Sequence, residues 1–231
     1  MSSKRVQIRG HDGAFSGYLS LPEGKPKAGL VVIQEIFGVN AVMREITDRY
    51  AAMGYAALCP DLFWRIEPGI DITDKTDAEM KRAFELFGLF DVDKGIEDID
   101  ATIEYLRDEL GLAKVGAVGF CLGGLLAYLT ATRTDVDASV SYYGVSLEQR
   151  LEEAEKLAKP LLMHMAEQDK FVPPAAQKVI HAALHNHPEI TLYSYEAQNH
   201  AFARMGGEHY DQAAADLANT RSAEFLRANL G

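Results

Sequence analysis

The chain has 231 residues, of which 48% are hydrophobic and 25% are charged, and its formal net charge is -11 at pH 7. This length fits a single domain, and the composition supports a sizeable buried core rather than a disordered chain. The excess of acidic groups leaves no positive surface to neutralise phosphates. We therefore exclude nucleic acid and an anionic membrane surface as expected partners.

No stretch approaches the roughly 20 apolar residues that span a bilayer, and the basic residues near the start are not followed by an apolar run. We therefore expect a protein of the cytoplasm. The two cysteines, Cys59 and Cys121, are too few to crosslink a chain of this length, and a reducing compartment keeps both as thiols. A monomer is compatible with the sequence.

Short β-branched or aromatic runs alternate along the chain with longer segments of helical period. This alternation predicts an α/β fold, in which helices cover both faces of a mostly parallel sheet. An antiparallel hairpin is predicted first, around residues 6–8 and 15–21. Further strands are predicted at 29–33, 56–59, 114–120, 138–143, 160–165 and 190–195. Helices are predicted at 42–53, 77–89, 96–106, from 121 onward, 173–185 and 210–230.

Residues 61–77 mix proline, glycine and aspartate without a period, which predicts a long surface loop of the kind that often borders a site. The chain contains no internal repeat and no low-complexity tract. The elements therefore predict one domain that spans residues 1–231.

The sharpest motif is Gly119-Phe-Cys121-Leu-Gly123, which lies between a predicted strand and a predicted helix. This is the nucleophile-elbow pattern with cysteine in the place of serine. The turn strains its central residue, and small residues two positions away let strand and helix approach. The helix N-terminus favours a thiolate, so we expect Cys121 to be a nucleophile; the alternative is a buried thiol in a glycine-rich turn.

A nucleophile of this kind needs a base, and the base needs a group that orients it. In elbow enzymes the acid and the histidine follow later strands, in that order. Asp169 and His200 stand at these two places, with Glu167 as a rival for the acid. A surface-loop role is the alternative for His200. His164, within a predicted strand, is interpreted as a hydrogen-bonded core residue.

Acyl transfer also needs donors for the developing oxyanion. We assign one to the backbone N–H of Leu122, directly after the nucleophile, and the second to Ile36, in the loop after the strand at 29–33. Glu35 is either a surface charge or a group of the site. His181 and His185 have the i, i+4 spacing of metal ligands, but no acidic pair accompanies them. A solvated helix face is favoured there, and we expect neither a metal nor another cofactor.

Several stretches together resemble the dienelactone hydrolases (carboxymethylenebutenolidases), a family of α/β-hydrolases without a large cap domain, and the similarity runs nearly end to end. They are Gln34 to Gly38, Cys59 to Leu62, Val118 to Gly124, Tyr142 to Gly144, His164 to Pro173 and His200 to Arg204. The resemblance implies a triad of Cys121, Asp169 and His200, with Glu35 helping to activate the thiol. It also implies hydrolysis of a conjugated enol-lactone through an acyl-enzyme, during the breakdown of catechols or chlorocatechols.

The resemblance further implies substrate-binding roles for Arg204, Phe84, Phe87 and Tyr143. The family holds the substrate carboxylate with two arginines; Arg204 matches one, and Met80 stands where the second is expected. From the residues alone, Arg204 could be solvated and the two phenylalanines could be core residues of an amphipathic helix.

Two other functions remain compatible with these motifs. One is a broader carboxylesterase or thioesterase. The other is a non-catalytic protein that senses oxidants, because an activated thiolate is also easily oxidised. The complete triad favours an enzyme, specifically a carboxylic-ester hydrolase whose partner is a small lactone or ester.

Overall fold

The computed structural model describes all residues from 1 to 231 and contains the predicted alternation of strands and helices. Residues 61–76 form no helix or strand apart from an isolated bridge at Asp71, as predicted. The strands are β1 (Ser2–Arg9), β2 (Ala14–Leu21), β3 (Gly29–Ile33), β4 (Ala56–Pro60), β5 (Val115–Phe120), β6 (Ala138–Tyr142), β7 (Leu161–Ala166) and β8 (Ile190–Tyr195). The helices are α1 (Ala41–Ala52), α2 (Asp77–Leu89), α3 (Val92–Asp108), α4 (Leu122–Arg133), α5 (Pro174–Leu184) and α6 (Gln212–Leu230).

Hydrogen bonds connect the strands in the order β1-β2-β4-β3-β5-β6-β7-β8. Strand β2 is antiparallel to both β1 and β4, whereas the pairs β3 with β4, β6 with β7 and β7 with β8 are parallel. Every residue of β3 to β7 is buried, while the edge strand β1 is largely exposed and the edge strand β8 is partly exposed. Continuous apolar runs are what parallel strands covered on both faces require, so the mostly parallel α/β class is confirmed.

Contacts divide the chain into two compact units, Met1–Ala117 and Val118–Gly231. In the first unit, α1 packs on β2, β3 and β4, and α3 packs on β1, β3 and β4. The four apolar residues whose spacing predicted α3 are all buried, because this spacing places them on one helical face. They are Ile96, Ile99, Ile103 and Leu106.

In the second unit, α4 packs on β6, and α6 packs on β6 and β7. Helix α4 is buried from Leu122 to Thr132, as expected of a helix that is apolar on all sides. No helix in either unit is long and apolar enough to cross a membrane. The organisation of residues 1–231 as one domain stays a prediction.

Candidate active site

The turn between β5 and α4 holds Cys121 in a strained backbone conformation, with φ 57° and ψ -115°. A positive φ is uncommon for any residue other than glycine. A Cβ on Gly119 would lie 1.9 Å from the carbonyl oxygen of Gly123, so only glycine fits there. Cys121 is partly exposed and is the N-cap residue of α4, although its side chain makes no capping hydrogen bond. The turn thus has the geometry that the motif predicts.

The next strand fixes the position of this turn. The backbone N–H of Cys121 donates to the carbonyl of Tyr142 at 3.0 Å. A Cβ on Gly124 would lie 2.5 Å from that same carbonyl oxygen and 2.7 Å from Cα of Gly144. Glycine at 124 therefore allows α4 to lie directly against the end of β6. Leu122 is the first residue of α4, and the backbone N–H groups of a first helical turn have no acceptor in the preceding turn.

Asp169 and His200 lie side by side, as predicted. Nδ1 of His200 is 2.7 Å from Oδ2 of Asp169, and the two residues are only 7% and 3% exposed. Glu167, the rival acid, is exposed. A carboxylate bound to Nδ1 orients the imidazole and leaves Nε2 for another partner.

That other partner is Cys121, which forms a hydrogen bond with His200. Burial alone lowers the pKa of His200, but the charge of the Cys121 thiolate and the hydrogen bonds with Asp169 and Cys121 raise it to about 10. The imidazolium is therefore favoured next to the thiolate. The structure brings the three predicted triad residues together.

Two aromatic rings flank His200. Tyr143 is 2% exposed and its ring centroid lies 5.2 Å from that of His200, edge to face. Phe171 packs against the same imidazole, with a centroid distance of 4.8 Å and an interplanar angle of 72°, but it is 53% exposed. Tyr143 thus touches the catalytic candidate directly, and its predicted contact with substrate stays a prediction.

The loop that carries Asp169 connects β7 to α5 and is held by one glutamine. Nε2 of Gln177 lies 3.2 Å from the carbonyl oxygens of Ala166 and Glu167 and 2.7 Å from that of Val172. These carbonyls flank Asp169 on both sides. Gln177 therefore closes the loop around the acid.

Sequence reasoning missed both Phe171 and Gln177. Phe171 follows Asp169 by two residues, and this position in the loop that carries Asp169 could have indicated a place near the site. Gln177 gave no signal, because its acceptors lie 5 to 11 residues earlier in the chain and fit no local pattern.

His164 was predicted to be a core residue, and this is confirmed. It is 1% exposed, with Nδ1 2.8 Å from the hydroxyl of Tyr195 and Nε2 2.9 Å from that of Ser222. Burial, together with the positive charge of Arg221, lowers the pKa of His164 to about 3. His164 is therefore neutral near pH 7. Cys59 is fully buried as well.

The first unit contains Glu35 and Ile36, which are 3% and 8% exposed. The alternative that Glu35 is a surface charge is therefore wrong. Gln34 donates through Nε2 to the carbonyl of Glu35 at 3.3 Å and accepts from the N–H of Leu62 at 3.0 Å. Because that carbonyl belongs to the same planar peptide as the N–H of Ile36, Gln34 orients this amide.

The predicted substrate-binding residues differ in how far they are exposed. Arg204 is partly buried in the turn after His200, where its backbone N–H donates to the carbonyl of Ala201 at 2.9 Å. Phe84 is 46% exposed and Phe87 is partly exposed, so the core alternative is wrong for Phe84. Met80 is partly exposed on the same helix, α2.

The family model of the dienelactone hydrolase family matches residues 15–230. A protein of Azospirillum brasilense is 49% identical over 224 residues, which cover 96% of both chains. The carboxymethylenebutenolidase of Pseudomonas putida is 39% identical over 228 residues, which cover 98% of this chain and 97% of that one. A match over almost the whole length of both chains shows membership of the family.

Solved structures support the fold. A crystal structure from Klebsiella pneumoniae superposes with a TM-score of 0.85 at 23% identity and covers 98% of this chain and 99% of that chain. An α/β serine hydrolase without lid from Xanthomonas campestris has a TM-score of 0.70 at 16% identity, and the match covers 100% of this chain and 96% of that chain. The α/β-hydrolase fold without a large cap is thereby confirmed. The chain therefore belongs to the dienelactone hydrolase family, and it is a hydrolase that acts on ester or lactone bonds.

Proposed function

We propose that this hydrolase opens a small enol-lactone of the dienelactone type, with Cys121 as a covalent nucleophile. The observation that carries the proposal is the contact of Cys121 with a histidine whose other ring nitrogen binds a buried aspartate. The family membership and the carboxymethylenebutenolidase of Pseudomonas putida support the substrate class. Catechol or chlorocatechol breakdown is the setting that this substrate class suggests.

In the first half of the proposed reaction, the thiolate of Cys121 attacks the carbonyl carbon of the lactone. The carbonyl oxygen takes up the electron pair, and the backbone N–H of Leu122 donates to it. The tetrahedral intermediate collapses by breaking the bond between the carbonyl carbon and the ring oxygen. The imidazolium of His200 gives its proton to the departing enolate, which leaves a thioester on Cys121 and a neutral imidazole.

In the second half, the neutral imidazole of His200 takes a proton from water, and the resulting hydroxide attacks the thioester carbon. The carbon–sulfur bond breaks, and Cys121 leaves as a thiolate beside the imidazolium. Asp169 stays ionised and stabilises the imidazolium throughout. The net reaction consumes one lactone and one water, and the enzyme returns to its starting charge state.

The chemistry favours an enol-lactone over an alkyl ester. An enolate is a better leaving group than an alkoxide, so the tetrahedral intermediate expels it rather than the thiolate. The intermediate formed from an alkyl ester would more often expel the thiolate and return to starting material. Alkyl esters should therefore be hydrolysed slowly. Roles for Glu35 and the Ile36 amide in this step remain predictions from the sequence.

Rates of hydrolysis of a panel of carboxylated dienelactones, aryl esters and alkyl esters test the proposal. Wild-type protein should hydrolyse the lactones fastest, and Cys121→Ala should hydrolyse none of them. Comparable rates on all three classes would instead favour the broader esterase. Peroxide-dependent partner binding without hydrolysis of any ester would favour the redox-sensing alternative.

The same panel tests the proposed carboxylate-binding role of Arg204. Arg204→Ala should raise KM for carboxylated lactones and leave uncharged aryl esters unaffected, because a charge-assisted hydrogen bond to the carboxylate is lost. Arg227→Ala, at an exposed position on α6, is the matched control. Unchanged turnover of the carboxylated lactones by Arg204→Ala would show that the carboxylate binds elsewhere.

A further inference from the structure

Phe171 exposes 53% of its surface, although its neighbours Asp169, Val172 and His200 are 3%, 3% and 7% exposed. Covering an apolar ring is favourable, because it removes apolar surface from water. The exposed part of the ring is therefore a surface on which a ligand gains binding energy.

The ring of Phe171 lies beside the residues of the proposed reaction. Its centroid lies 4.8 Å from that of His200, which is hydrogen-bonded to Cys121. A carbonyl group under attack by Cys121 lies next to the same imidazole. Substituents of that carbonyl group are therefore close to Phe171.

The backbone that carries this ring is also held in place before any ligand arrives. The backbone N–H of Phe171 donates to Oδ1 of Asp169 at 2.8 Å, while Oδ2 of that carboxylate binds His200. Gln177 binds the carbonyl of Val172, and Pro173 follows directly. A contact surface that is fixed in advance discriminates between shapes, because little ordering is needed on binding.

We propose that Phe171 is a specificity-determining residue that binds the planar, unsaturated acyl part of the substrate. This inference rests on the proposed function and extends it from the reacting bond to the group attached to the carbonyl. Aromatic rings interact with flat π systems by offset stacking or edge contacts, beyond the gain from buried area alone. A saturated acyl chain of the same size lacks this interaction.

The experiment compares two substrates that share one leaving group, 4-nitrophenyl crotonate and 4-nitrophenyl butanoate. The first has a planar conjugated acyl group and the second a saturated one of equal carbon number. We expect Phe171→Leu to lower the ratio of kcat/KM for crotonate to that for butanoate by roughly 2- to 10-fold, from the size of aromatic pair interactions. Phe171→Tyr should keep the wild-type ratio. Val179→Ala, at an exposed apolar position on α5, should do the same.

An unchanged ratio in Phe171→Leu would overturn the inference. If both substrates slowed by one common factor while the pKa of His200 fell, the ring would only shield the imidazole, which would also overturn it. Failure of the proposed function has a different signature, namely no turnover by the wild type or equal turnover by Cys121→Ala. Thermal unfolding of each variant checks that the protein is folded.

Discussion

At the scale of single residues, Gly119 shows how closely the turn between β5 and α4 is packed. Since an added Cβ would meet the Gly123 carbonyl at 1.9 Å, Gly119→Ala should force the turn apart. We expect a loss of about 1–3 kcal/mol or more in the free energy of unfolding, with a loss of activity. Chemical denaturation and hydrolysis of an aryl ester measure the two effects.

Gly88 provides the matched control. It lies inside α2 with no atom within 4 Å of an added Cβ. Gly88→Ala should stabilise the protein by up to about 1 kcal/mol, because alanine favours the helix, and should leave activity unchanged. Equal effects of the two substitutions would contradict the steric argument.

Protonation of His200 makes the stability of the protein depend on pH. Its pKa is raised from 6.5 to about 10, so the folded chain holds this proton more tightly than the unfolded chain. The resulting stabilisation is complete below pH 6.5 and decreases as the pH rises toward 10. In Cys121→Ala the thiolate charge and one hydrogen bond are lost, so the pKa of His200 should fall and the stabilisation should end at a lower pH.

NMR titration of the imidazole signals measures this pKa in both proteins. Cys121→Ser is the control that keeps a hydrogen-bonding group without the thiolate charge, and its histidine pKa should also lie below that of the wild type. An imidazole pKa that is the same in all three proteins would contradict a thiolate–imidazolium pair.

The triad positions could be predicted because their signals are local or follow from chain order. The tight turn at Cys121 requires glycine two residues away on each side, and this spacing can be recognised from the sequence alone. The acid and the histidine follow strands that are themselves recognisable. The environment of Phe171 could not be predicted, because its packing against His200 joins residues 29 positions apart.

At the scale of elements, Gln177 on α5 holds the loop of the acid. Gln177→Leu removes the donor of three carbonyl groups and should cost about 1–3 kcal/mol of stability, since buried acceptors lose their partner. Asp169 should then be held less firmly, so kcat should fall more than KM changes and the pKa of His200 should decrease.

Lys178→Leu, at the exposed neighbouring position, is the control for this substitution on α5. It should leave kcat and the histidine pKa unchanged. A Gln177→Leu protein that is destabilised while kcat and the pKa of His200 stay at wild-type values would reduce Gln177 to a purely structural residue.

Element boundaries were most accurate where a cap or a turn residue marks them. Helix α2 begins at Asp77, as predicted, and the Thr76 hydroxyl accepts from the N–H of Glu79 at 3.2 Å. Helix α3 begins at Val92, four residues before its first predicted position, because Asp91 caps it. The apolar period alone did not show this first turn.

At the scale of the whole molecule, the prediction of one domain has a direct thermodynamic consequence. A single domain of residues 1–231 should unfold in one cooperative transition, in which the calorimetric and van't Hoff enthalpies agree. Scanning calorimetry measures both. Two resolved transitions would contradict the one-domain prediction and would indicate that Met1–Ala117 and Val118–Gly231 unfold separately.

The covalent role of Cys121 is the central claim, and rapid-quench mass spectrometry tests it most directly. Wild-type protein mixed with 4-nitrophenyl crotonate and quenched in acid should carry one crotonyl group, on the peptide that contains Cys121. The Cys121→Ala protein should carry none and release no nitrophenol above background. An acyl group on a different residue, or undiminished turnover by Cys121→Ala, would contradict the account.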